Sequence, residues 1–135
     1  MATALVTGAT SGIGRAIALS LAAASYRTHA LGRNRTALEE LRAVPNMVPL
    51  ACDLADREAV AALIDGLEID VLINNAGIVP PIAPFAEMDE GNIDATVEVN
   101  LSAVLHLTRA IVPGMIARGR GDVIFTGSTA ALVAP

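Results

Sequence analysis

Short apolar runs alternate along the chain with longer stretches in which apolar residues recur every three or four positions. The runs fall at residues 4–7, 28–31, 47–52, 70–73 and 122–126, each of a length suited to a buried strand. Residues 15–24 read as a helix with Ile17, Leu21 and Ala24 on one face. A short helix follows through Leu38 and Leu41, and a third, N-capped by Asp56, carries Val60, Leu63 and Ile64. Pro80, Pro81 and Pro84 exclude regular structure from the loop after the fourth run. Helical periodicity resumes near Asp89 and runs, with room for a break, to about Ala117. Pro113 predicts a kink or a loosened last turn there, and Gly119 and Gly121 end the helix.

Alternation of this kind predicts βαβ units and a parallel sheet. Right-handed crossovers and one reversal of direction give the strand order 3-2-1-4-5, a doubly wound α/β sheet of Rossmann type with helices on both faces. Ligands of such sheets bind beyond the carboxyl ends of the strands, at the switch point. Gly8, Arg33, Asp53, Asn75 and Ser128 all fall at such ends.

The first of these ends is Thr7-Gly8-Ala9-Thr10-Ser11-Gly12-Ile13-Gly14. Gly8 permits a sharp turn, Gly12 leaves the backbone open to a phosphate, and Gly14 lets the following helix approach the strand. The first helical turn then offers unpaired N–H groups and a positive dipole end to an anion, as a dinucleotide pyrophosphate requires. The spacing Gly8-x-x-x-Gly12-x-Gly14 differs from G-x-G-x-x-G, and no lysine follows it as in a P-loop.

Composition narrows the partners. The 135 residues are expected to form one domain around a single core, and 53% hydrophobic with 17% charged residues argues against disorder. A net charge of −5 gives no footprint for nucleic acid or an anionic membrane. No apolar run is expected to span a bilayer, and the first strand begins too close to Met1 for a signal peptide, so a cytoplasmic protein is expected. The single cysteine, Cys52, excludes an internal disulfide and reads as a small buried hydrophobe. His29 and His106 have no second ligand at metal spacing and read as structural. All nine basic residues are arginine, and Tyr26 is the only tyrosine.

Arg33 ends the second run where a carboxylate would accept hydrogen bonds from the ribose 2′-hydroxyl of NAD. A guanidinium there suits a 2′-phosphate, hence NADP, with NAD the alternative cofactor and with Ser11 and Arg35 as helpers. The competing reading is an exposed arginine in a capping loop. Asp53 either accepts from an adenine amino group or caps the backbone that follows it. Asn74-Asn75-Ala76-Gly77 is in itself a good turn sequence. Asn100 reads as a core amide, and Ser128 as an ordinary serine after a strand.

Taken together, Thr-Gly-x-x-x-Gly-x-Gly, Asp53-Leu54, Asn-Asn-Ala-Gly, Asn100 and Gly-x-x-Ile-x-x-x-Ser ending at Ser128 resemble the short-chain dehydrogenase/reductase family, in family order over the whole chain. The resemblance implies NADP(H)-dependent hydride transfer to or from a carbonyl or secondary alcohol of a small molecule. It implies catalytic roles for Ser128 and Asn100. The implied cofactor residues are Gly8, Thr10, Ser11, Gly12, Ile13 and Gly14 of the turn, Arg33, Asp53 and Leu54 of the next two strand ends, and Asn75, Ala76, Gly77 and Thr126. The family's Tyr-x-x-x-Lys pair is absent, so residues 1–135 are expected to be a non-catalytic N-terminal part, truncated before that segment. The alternatives are an inactive NADP-binding or interaction module, and a fragment whose fifth strand is an unpaired edge. Ile78, Val79, Ile82 and Phe85 suggest a partly hydrophobic substrate lining. The helix through Leu105, Ile111 and Met115 resembles the family's dimer helix and implies a homo-oligomer, unless that face packs on the sheet.

Overall fold

Leu5 and Val6 are neighbours in sequence, both fully buried, and belong to different cores. Successive strand residues point to opposite faces, so a run buried throughout needs cover on both sides. The computed structural model, which describes residues 1–133, meets this need with five parallel strands in the order β3-β2-β1-β4-β5. They are β1 (Thr3–Thr7), β2 (Arg27–Gly32), β3 (Met47–Ala51), β4 (Val71–Asn74) and β5 (Asp122–Phe125). This is the expected order, with Cys52 and Thr126 falling just past their strands.

Helices α1 (Gly12–Ala23) and α2 (Arg35–Arg42) cover one face, where Val6, Ala30 and Ile73 meet Ala18, Ala22, Leu38 and Leu41. Helices α3 (Arg57–Ile64) and α5 (Ala103–Arg118) cover the other, where Leu5, Leu31 and Leu72 meet Val60, Leu107, Ile111 and Met115. The single core expected from chain length is therefore two, because a parallel sheet buries both of its faces. In α1 the most buried stripe is Gly14, Ala18 and Ala22, not Ile17, Leu21 and Ala24. Ile17 and Leu21 flank it, partly buried, and Ala24 is exposed.

After the proline loop, which contains one 3₁₀ turn at Phe85–Glu87, α4 (Glu90–Val97) begins at the Asp89 cap. A π-helical turn, Glu98–Ser102, joins it to α5. The break is thus at Asn100, and α5 continues through Pro113 to Arg118. The composite helix Glu90–Arg118 has 29 residues and is long and apolar enough to cross a membrane, contrary to expectation. Ala103, Leu107, Ile111 and Met115 bury one face of it in the core under the sheet, while most of its apolar window, 22% buried, stays uncovered. Ile111 and Met115 therefore pack on the sheet, while Leu105 is exposed.

At the amino ends of the strands, Asp70 Oδ2 accepts the Thr3 N–H at 3.0 Å and Asp70 Oδ1 accepts from Arg120 Nε at 3.1 Å. Tyr26 lies at this end too, in the turn between α1 and β2 and not on the helix.

Candidate dinucleotide site

The β1–α1 turn gives each glycine a different task. Gly8 has φ +66°, and a Cβ there would stand 2.8 Å from the Ala76 Cα. A Cβ on Gly14 would collide with the Gly8 carbonyl oxygen and the Asn75 amide nitrogen. Gly12, at φ +51°, would point a Cβ into open space. Helix α1 starts without a side-chain cap at Ser11 and without an acidic residue in its first turn. Helices α2, α3 and α4 by contrast are capped by Asn34, Asp56 and Asp89. The leading N–H groups of α1 are left without a side-chain acceptor, at the floor of a cleft.

That cleft, about 580 Å³, lies at the carboxyl ends of the strands. Gly8, Thr10, Ser11, Gly12 and Ile13 form its floor, and Leu31, Gly32, Arg33 and Asn34 one wall. Cys52, Asp53 and Leu54 close one side, and Asn75, Ala76, Gly77, Ile78 and Val99 the other. Gly14, Thr126, Asn100 and Ser128 are not on this lining.

Those four stand behind or beside it. Gly14 sets the distance between α1 and β1. Thr126 Oγ1 donates to Asn75 Oδ1 at 3.2 Å. Asn75 Nδ2 donates to the Thr7 carbonyl at 3.2 Å, and Thr7 Oγ1 accepts the N–H groups of Asn75 and Ala76, both at 3.0 Å. The Thr7 hydroxyl in turn donates to the Ile73 carbonyl at 3.3 Å. The Asn74 amide reaches Thr108 Oγ1 at 3.1 Å and ties β4 to α5. Asn100 spends both ends of its amide on one residue: Oδ1 accepts the Ile78 N–H and Nδ2 donates to the Ile78 carbonyl, each at 2.8 Å. Ser128 is exposed, and its Oγ accepts the Ala130 N–H at 3.1 Å.

Arg33 and Asp53 face one another at 4.0 Å with side chains 66% and 50% exposed, a separation and exposure that make the pair weak. Arg33 is thus free to turn to an anion, and Asn34, not Arg33, caps α2. Asp53 Oδ1 accepts the Ala55 N–H at 3.0 Å, and Oδ2 is the oxygen that faces Arg33. Burial, with Asp56 and Asp53 nearby, pushes the Cys52 thiol above its usual range, away from the reactive thiolate. Among the described residues, no three or more His, Cys, Asp or Glu groups could hold a metal.

Sequence reasoning missed Thr7 as a brace, and Leu31, Gly32, Asn34, Cys52 and Val99 as lining, while of the four apolar loop residues expected to line a pocket only Ile78 lines this cleft. A polar residue ending a buried run beside the glycine turn was the available signal for Thr7. Val99 reaches the cleft on the π turn, which has no local sequence mark, and Asn100 of the same turn holds Ile78.

An open cleft at the switch point of a doubly wound sheet, floored by a glycine turn and an uncapped helix, defines a dinucleotide-binding domain. The chain belongs to the short chain dehydrogenase family, which it matches over residues 2–135. An uncharacterized short-chain type dehydrogenase/reductase of Sinorhizobium fredii is 49% identical over 129 residues, 96% of this chain and 52% of that protein. The L-xylulose reductase of Mus musculus is 39% identical, over 95% of this chain and 53% of the reductase. A closed form of serine dehydrogenase complexed with NADP+ superposes with a TM-score of 0.93 at 30% identity, covering 98% of this chain and 56% of the enzyme. The chain spans about half the length of the curated relatives it matches.

Proposed function

We propose that residues 1–135 are the cofactor-binding part of an NADP(H)-dependent oxidoreductase that interconverts a carbonyl and a secondary alcohol on a small molecule. The observation that carries this reading is Arg33 on the wall of the cleft, one strand away from the uncapped start of α1. The open space at Gly12 and the unshared N–H groups of α1 suit a pyrophosphate, and Arg33 suits a 2′-phosphate. Asp53 would accept from an adenine amino group, with Leu54 beside it on the lining. Asn75, Ala76 and Gly77 would border the nicotinamide end. When bound, the nicotinamide supplies the hydride chemistry.

The chain's own residues position and enclose. Asn100 holds Ile78 and with it the mouth of the cleft, and Ser128 is the hydroxyl assigned to a substrate oxygen. No lysine occurs in these residues, and Tyr26 lies at the opposite end of the sheet. They accordingly bind cofactor without completing a proton relay, and turnover draws on a tyrosine–lysine pair from outside residues 1–135. A cytoplasmic location goes with this reading, as does self-association through Val97, Leu101 and Leu105 on the outer face of Glu90–Arg118.

Titration with NADPH and NADH, for wild type and Arg33→Ala, tests it. NADPH should bind more tightly than NADH by about tenfold or more, and Arg33→Ala should abolish the difference. Equal affinities would overturn the NADP assignment, and failure to bind either would overturn the dinucleotide site. NADPH oxidation by residues 1–135 with any ketone would overturn the non-catalytic reading.

A further inference from the structure

Gly32 ends β2 and lines the cleft next to Arg33. Its φ is not in the left-handed region, so the backbone there would accept any residue. The obstacle to a side chain is Thr10. A Cβ on Gly32 would collide with Thr10 Cγ2 and would stand 3.3 Å from its Oγ1 and 3.4 Å from its Cβ.

Hydrogen bonds hold the backbone on both sides of this contact, so the half-buried Thr10 side chain is the part that would have to turn aside. The Ala9 N–H donates to the Leu31 carbonyl at 3.0 Å, which ties the phosphate turn to the same strand end. The Cys52 N–H donates to the Gly32 carbonyl at 3.0 Å and fixes Gly32 from the β3 side. The Thr10 methyl therefore fills the volume that a residue-32 side chain would need. Close-packed atoms of this kind resist even one added carbon.

The end of the second strand is where a carboxylate would have to stand to accept from a ribose 2′-hydroxyl. We infer that Thr10 is a specificity-determining residue: by packing on Gly32 it bars an acidic side chain from the end of β2 and leaves Arg33 to read the 2′-position. Cofactor preference is then set by the Thr10–Gly32 contact together with Arg33. The inference rests on the NADP(H) reading above and adds a requirement to it. An acidic substitution at the strand end is ineffective while the Thr10 methyl remains.

The test uses the full chain in four forms: wild type, Gly32→Asp, Thr10→Ala and the double variant, each titrated with NADPH and NADH. Gly32→Asp alone should weaken both cofactors, because the Thr10 side chain or the turn that carries it must move to admit the new side chain. In the Thr10→Ala background the same change should shift the NADPH/NADH ratio towards NADH by about tenfold more than in wild type, the signature of coupled neighbours. An equal shift in both backgrounds would overturn the inference.

A second measurement does not involve cofactor. Gly32→Ala should lower the melting temperature in wild type, and Thr10→Ser, which removes Cγ2, should relieve most of the loss. Equal losses in the two backgrounds would show that the contact does not exclude a side chain. A wild-type chain that binds both cofactors equally would overturn the NADP(H) reading and the specificity role with it. The thermal comparison would then decide the Thr10–Gly32 exclusion by itself.

Discussion

Asn75 donates twice to Thr7, from its backbone N–H to the hydroxyl at 3.0 Å and from its side-chain amide to the carbonyl at 3.2 Å. The Thr7 hydroxyl also takes the Ala76 N–H, so one buried oxygen fixes the path of the chain as it leaves β4. Ala76 is the residue whose backbone presses on Gly8, and the floor and side wall of the cleft are therefore set by the same bracket.

Thr7→Val keeps the shape of the side chain and removes the acceptor. Two N–H groups lose their partner, and the expected cost is about 2–3 kcal/mol in chemical denaturation. Dinucleotide binding should weaken with it, since Asn75 and Ala76 line the cleft. A loss below about 0.5 kcal/mol, the level of an ordinary surface change, would show that the bracket is not structural.

Asn100 makes two different hydrogen bonds to Ile78, and two variants separate them. Asn100→Ala removes both, whereas Asn100→Asp keeps an acceptor for the Ile78 N–H and lacks a donor for its carbonyl. Amide exchange at Ile78 should accelerate strongly in the first variant and remain close to wild type in the second. The site is exposed and water can replace lost partners, so global stability should fall only by about 0.5–1.5 kcal/mol in Asn100→Ala. Unchanged exchange at Ile78 in Asn100→Ala would mean that the loop is held by something else.

The strands and their order were legible because a buried parallel strand leaves an unbroken apolar run and crossovers have one hand. Gly8, Arg33, Asp53 and Asn75 were legible for the same reason: each follows such a run, and the sheet brings those ends together. The inner face of α1 was not. Ranking residues by hydrophobicity selects Ile17 and Leu21, but the contact of Gly14 with Gly8 draws the helix so near the sheet that only Ala18 and Ala22 fit beneath it. The helix break was expected but could not be placed, for a related cause. Pro113 is a strong local signal yet removes only one N–H, whereas the π turn serves Asn100, whose partner Ile78 is 22 residues away in sequence.

Two groups make stability fall on acidification, each in its own pH window. Burial, then the nearby Arg27 charge, lowers the His29 pKa, and its Nδ1 has no partner. The unfolded chain therefore takes up the His29 proton near 6.5 while the folded chain still excludes it. Stability should fall as the pH drops below that value and level off beneath the depressed folded pKa. Asp70 is shifted down, chiefly by the Thr3 N–H and further by Arg120 and Arg118. Its contribution is present above the usual carboxylate value of 3.8 and is lost as the pH falls through the lower folded one. Urea midpoints of wild type and His29→Val, compared between about pH 7.5 and 5.5, isolate the first effect. Parallel slopes for the two proteins would assign it to other groups.

Three glycine-to-alanine changes should divide stability from binding. At Gly14 helix propensity favours alanine by about 1 kcal/mol. The collision with the Gly8 carbonyl and the Asn75 amide outweighs that gain, for a net loss of about 1–3 kcal/mol. Gly12→Ala meets no neighbour and pays only for its left-handed backbone, about 1–2 kcal/mol. Its methyl, however, enters the open floor of the cleft, so NADPH affinity should fall by more than the stability change explains. Gly66 is the control: φ is +72°, nothing lies within 4 Å, and it is not on the cleft lining. Gly66→Ala should match Gly12→Ala in stability and leave NADPH affinity unchanged. If Gly12→Ala and Gly66→Ala bound NADPH equally well, the floor at Gly12 would not be where the pyrophosphate lies.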